Sequence, residues 1–204
     1  MDSNLLLLFT FSSFALTLFP GPDIMYVFST SLTKGRLSGF KVSLGLCSGL
    51  WVHTLLVILG VGNFLNQYPE SQRILEFLGG AYLLFLAVKS WSSFRRIAKR
   101  EYSPKSKSEN HFLTGFVMNL SNPKVSLFFI SFFPGFLFHQ SWSFQWQFLI
   151  LGMIFFVQAL LVFSSVTFFA DQIGTRLLHT KDSKLWNRIQ AIVLALIALM
   201  LFYP

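Results

Sequence analysis

The chain of 204 residues has a single cysteine, Cys47. An intramolecular disulfide is excluded, and nothing resembles a thiolate metal site. Cys47 stands inside an apolar run and reads as a small packing residue. Charge is also scarce: 12% of the residues are Asp, Glu, Lys or Arg, whereas a soluble domain carries about a quarter. So few charges cannot cover a water-exposed surface of this size, and much of it must face lipid. No Lys or Arg precedes the first apolar run, which carries only Asp2. A cleavable signal peptide needs a positive start, so the first segment is expected to stay in the mature protein. Enzyme signatures are missing too: no Gly-x-Ser-x-Gly, no His-Glu-x-x-His and no glycine-rich phosphate loop. His53, His111, His139 and His179 are dispersed, and no metal cluster emerges. Neither an enzyme nor a cofactor is read from the sequence.

What is abundant is apolar surface. Hydrophobic residues make up 53% of the chain and Phe alone occurs 26 times. The hydrophobicity is gathered into runs of about 20 residues, the length a bilayer core requires. Six helices are predicted, at 4–32, 39–62, 72–91, 112–138, 144–170 and 186–203. The whole of 1–204 is read as one transmembrane domain of the all-α class.

The loops sort by charge. Of the 16 basic residues, all but Arg73 and Lys124 fall in or beside the first, third and fifth loops. Basic loops stay on the cytoplasmic side, so both termini are expected outside. Tyr68, Trp142, Trp146 and Tyr203 then fall near the outer boundary, and Trp91, Tyr102 and Trp186 near the inner one. Such rings favour the headgroup level. The net charge of +8 is therefore a signal of topology and of the lipid bilayer as partner, and no nucleic acid is read as a partner.

The polar stretch 93–110, rich in Ser and Lys, reads as a cytoplasmic linker between two three-helix repeats, 1–92 and 111–204. An odd number of spans in each makes the repeats inverted. A local match supports this. Phe19-Pro20-Gly21-Pro22-Asp23 in the first segment corresponds to Leu120-Ser121-Asn122-Pro123-Lys124 in the fourth, and Phe28 corresponds to Phe129.

Both matched stretches should break their helices, because proline lacks the N–H and clashes with the preceding turn. Pro20 and Pro22 flank Gly21 in the first, and Pro123 stands in the second. In lipid, freed carbonyls need partners, so such breaks must be buried in protein or line a wet cavity. Asn119 and Asn122 are close enough in sequence to supply hydrogen bonds. Asp23 and Lys124 follow the breaks directly and are the only charges deep inside any segment. Each costs about 2.5–3.5 kcal/mol at mid-membrane on insertion scales. A shared zwitterionic ligand would offset much of that: the carboxylate suits an ammonium group, and the lysine or a half-helix end suits a carboxylate. An amino acid has both ends. The alternative is a structural ion pair locking the halves together, and the two readings are compatible. Gly45, Gly49 and His53 lie on one face of the second helix, which allows close helix contact. His53 could carry a coupling proton, since imidazole titrates near neutrality, or it could be a neutral histidine hydrogen-bonded inside the bundle.

In order and spacing, these residues resemble the lysine-exporter (LysE) superfamily, most closely its homoserine/threonine-exporter (RhtB) branch. The resemblance runs through Pro20-Gly21-Pro22-Asp23, Lys34-Gly35-Arg36 with Gly39, Gly45 and Gly49, and then Gly79 with Tyr82-Leu83. It continues through Gly115-Phe116, Asn119, Asn122-Pro123-Lys124 and Phe132-Phe133-Pro134. It implies a small all-helical exporter of amino acids or their derivatives, an antiporter driven by the proton-motive force. It further implies a bacterial cytoplasmic (inner) membrane and a homodimer. Asp23 and Lys124 match charged positions of the family motifs. The last helix, which has no glycine, and the richness in Phe depart from the pattern, and both bear on the substrate. Two other classes are carried alongside: an ion or metal permease of the same superfamily, and a non-transporting membrane subunit.

Overall fold

The computed structural model describes residues 2–18, 21–68 and 110–170, with scattered positions between 70 and 88 and between 188 and 199. Among the described residues every regular element is helical. Helices α1 (Ser3–Leu18) and α2 (Pro22–Lys34) meet at a bend of 55°. Helix α3 (Arg36–Leu56) continues through a wider π-helical turn, Val57–Val61, into α4 (Gly62–Gln67). Helices α5 (His111–Leu120) and α6 (Pro123–Phe132) are separated by Ser121 and Asn122. A tight 3-10 turn, Phe133–Phe136, follows α6, and α7 (Phe144–Phe168) closes the described bundle.

Two helices, Arg36–Val61 and Phe144–Phe168, are each long and apolar enough to cross a membrane, and α1 with α2 makes a third span if the bent pair is one. The segments expected at 72–91 and 186–203 lie largely outside the described residues, although their described positions are helical. Helix α7 is apolar on every side, as a helix buried between protein and lipid should be. Leu151, Phe155 and Ala159 are buried, while Met153, Val157 and Leu161 are exposed. Helix α1 likewise turns Leu7, Phe11 and Phe14 outward. Apolar faces of this extent are a liability in water and a solvent-matched surface in a bilayer.

Among the described residues the closest helix contact joins α3 to α5, and glycine makes it. A Cβ built on Gly45 would run into the Phe112 carbonyl, and one on Gly115 into the Val42 carbonyl. A Cβ on Gly49 would come within 2.5 Å of the Asn119 side chain. With no hydrophobic gain between helices in lipid, such approach supplies van der Waals contact that larger residues would forbid. The glycine stripe expected on the second segment is thus a contact face, and His53 continues it.

Four buried hydroxyls are satisfied within their own helices. Thr17 donates to Ser13 O, Ser31 to Val27 O, Ser43 to Gly39 O and Thr54 to Leu50 O, at 2.7–2.9 Å. Bonds to the carbonyl one turn back let a hydroxyl sit in a dry interior. Phenylalanine fills the core: Phe9 meets Phe133 edge-on at 5.3 Å, and Phe129 stacks on Phe155 at 5.4 Å. Gly35, between α2 and α3, has φ +86°, a left-handed backbone that a side chain would strain.

Candidate functional site

Neither interruption leaves its proline inside a helix. Pro22 is the first residue of α2 and Pro123 the first of α6, the position where a missing N–H loses no bond. Each proline starts a second helix instead of kinking one. Gly21 caps α2 in extended conformation. Pro20 lies outside the described residues. Asn122 caps α6, its Oδ1 accepting from Lys124 N at 3.0 Å.

The two interruptions face each other. Asn122 Nδ2 donates to Asp23 Oδ2 at 2.7 Å, across 99 residues of sequence. Lys124 Nζ donates to Leu16 O at 2.9 Å. That carbonyl belongs to the last turn of α1, where four carbonyls have no partner within the helix. The negative end of α1 therefore meets the lysine, and the positive end of α2 carries Asp23 in its first turn. Asp23 follows the dipole of its own helix, whereas Lys124 stands in the first turn of α6 and reaches away from that positive end to the carbonyl end of α1. Asp23 and Lys124 line one cavity but form no direct salt bridge: Asp23 accepts from the opposite break and Lys124 donates to it. The structural lock considered for them is therefore made of two hydrogen bonds, leaving charge to face the cavity.

The cavity measures about 30 Å³, room for a water or two. Thr17, Gly21, Asp23, Asn119 and Lys124 give it its polar lining. Two buried acceptors on these residues have no hydrogen-bond partner, Asp23 Oδ1 and Asn119 Oδ1. A buried acceptor without a donor costs about 1–3 kcal/mol, so both are set to receive N–H or O–H groups.

Of the residues singled out from the sequence, Asp23, Lys124, Asn119 and Gly21 meet at this cavity. Asn122 stands behind it, holding Asp23. His53 is buried one step away. Its Nε2 donates to Asn119 O at 3.4 Å, and its ring lies 5.5 Å from that of Phe129. Among the described residues no group of three or more His, Cys, Asp or Glu could hold a metal ion.

Sequence reasoning missed Gln158. On α7, its Nε2 donates to Ser13 O at 3.2 Å and to Thr17 Oγ1 at 2.9 Å, tying α7 to α1 beside the cavity. The available signal was an amide in the middle of an apolar stretch, since polar side chains at such depth join helices. Gln147 was missed as well. Fully buried, it accepts from Phe138 N and His139 N and donates to His139 O and Trp142 O, pinning the loop ahead of α7.

Helices long and apolar enough to span a bilayer, meeting at two broken ends around half-buried opposite charges, define a polytopic membrane protein of the transporter type. The family model of the LysE type translocators matches residues 14–204, and the chain belongs to that family. A homoserine/homoserine lactone efflux protein of Salmonella typhi is 28% identical over 177 residues, covering 87% of this chain and 85% of the relative. A leucine efflux protein of Enterobacter sp. (strain 638) is 30% identical over 178 residues, covering 86% and 84%. An uncharacterized membrane protein of Bacillus subtilis (strain 168) is 28% identical over 191 residues, covering 88% and 89%. No solved structure matches the chain.

Proposed function

We propose that the chain is a secondary transporter that exports amino acids or their derivatives across a bacterial cytoplasmic membrane, driven by the proton-motive force. In this reading six helices form two inverted three-helix repeats, 1–92 and 111–204, joined by a cytoplasmic linker at 93–110, with both termini outside. The observation that carries it is the cavity between the two helix interruptions. It has a carboxylate and an ammonium group on opposing breaks, each anchored by a neutral partner, and two acceptors are left open. Half-helix ends around a buried site are how secondary transporters hold small charged solutes. The amino-acid efflux named for two relatives supports the substrate class.

Asp23 receives the ammonium group of the substrate, and Lys124 its carboxylate. At about 30 Å³ the cavity is too small for an amino acid, so this conformation is closed and the helices around it separate during transport. In this reading His53, whose Nε2 donates to the backbone carbonyl of Asn119, passes a protonation change to the site, Asp23 being the other candidate for the coupling proton. Asp23→Asn keeps the shape and removes the charge. Efflux of labelled amino acids from loaded cells should then be abolished with membrane expression intact, and wild-type efflux should stop when the proton gradient is dissipated. Normal transport by Asp23→Asn would remove the carboxylate from the mechanism.

A further inference from the structure

Apart from its polar lining, the cavity is walled by hydrocarbon. Leu16 and Ile24 line it, together with Phe155, Ala159 and Phe163. The last three are four residues apart on α7 and share one helical face. Ala159 is the small step between two rings, and all three side chains are buried. The polar lining carries one negative group, Asp23, and one positive group, Lys124.

We infer that the cargo is a free neutral amino acid with an aliphatic side chain, and that Ala159 sets the size of that side chain. The inference rests on the transport reading above. Charge balance gives the first half. A zwitterion adds no net charge to a site that already balances, whereas a cationic side chain would leave one charge uncompensated within the bundle, a costly state. The ammonium group has N–H donors for the open oxygens of Asp23 and Asn119. The carboxylate takes the two N–H groups that Lys124 does not spend on Leu16 O. A carboxyl-blocked derivative, such as an ester or a lactone, cannot make that second contact. The walls give the second half. Beyond the polar groups the residues lining the cavity are hydrocarbon, and a buried hydroxyl or amide against them would go unpaired. Within this wall the space against α7 is the space that Ala159 leaves between Phe155 and Phe163.

The test is counterflow of labelled leucine into proteoliposomes holding the full chain, with unlabelled competitors inside. Leucine or valine should drive uptake at least about tenfold better than lysine or leucine methyl ester, a hydrophobic pocket being worth that order of discrimination. Ala159→Phe should cut leucine counterflow about tenfold or more while alanine counterflow stays within about twofold. The wild type should exchange phenylalanine poorly, and Ala159→Gly should admit it. If Ala159→Phe fails to fold, the Ala159→Gly variant decides, and unchanged preference there overturns the role of Ala159. Lysine or the ester exchanging as well as leucine overturns the assignment of cargo while leaving amino-acid export standing. Counterflow of no amino acid at all overturns both.

Discussion

Asn122 does two things with one side chain: its Oδ1 caps α6 and its Nδ2 holds Asp23. These separate by substitution. Serine is as good an N-cap as asparagine but is too short to replace the amide donor to Asp23. Asn122→Ser should leave thermal stability in detergent near wild type. It should also weaken transport roughly 10- to 100-fold, the worth of a hydrogen bond of about 1.5–3 kcal/mol to a charged group. Asn122→Ala loses the cap as well, at about 1 kcal/mol, and should lower both quantities. A serine variant transporting at full rate would mean that Asp23 needs no holder. The same residues mark how far the sequence was readable. The charges were conspicuous because ionisable groups are rare in spans, and the prolines because they cannot continue a helix. Their partners were harder to see. The Leu16 carbonyl has no sequence signature, and Gln158 is a neutral amide whose role depends on which helix lies opposite.

At the scale of elements, the α3–α5 contact is the feature most exposed to a single methyl group. Gly45→Ala would push a carbon into the Phe112 carbonyl, which is backbone and cannot rotate away. The two helices must then part, pulling Gly49 from Asn119 and His53 from its carbonyl partner. Gly60 is the matched control, with nothing within 4 Å of an added Cβ. Gly45→Ala should lower the melting temperature of the detergent-solubilised protein by several degrees, on the scale of about 1–3 kcal/mol for overpacking. Gly60→Ala should stay within about 1 kcal/mol of wild type. Equal melting temperatures would show that the helices are free to adjust. This contact was half legible. Four-residue spacing put Gly45, Gly49 and His53 on one face, but the spacing did not say that α5 would cover it. Segment ends were read less well than segment cores. The fourth segment, read as a span over 112–138 with a break at Pro123, is two helices and a 3-10 turn: the proline marked the break, but nothing in the sequence marked the tight turn Phe133–Phe136 that ends the segment.

For the whole molecule, the distribution of basic residues makes a claim about sidedness. Between Thr33, at the end of α2 next to the basic first loop, and Gln140, in the loop ahead of α7, the reading places three spans, an odd number. The two positions must then face opposite sides, with Thr33 inside. The chain is suited to a direct test. Its one cysteine, Cys47, is buried, and both Thr33 and Gln140 are exposed. In a Cys47→Ser background, a membrane-impermeant maleimide added to intact cells should label Gln140→Cys within minutes, and Thr33→Cys only after permeabilisation. Labelling of both from outside would require an even number of spans between them and would end the inverted-repeat reading, since three spans per half are what turn the second half over. Labelling of Thr33→Cys alone would keep the repeats and reverse their orientation. A basic first loop would then face outward, and export would have to run against the arrangement of charge that ordinarily orients such a chain.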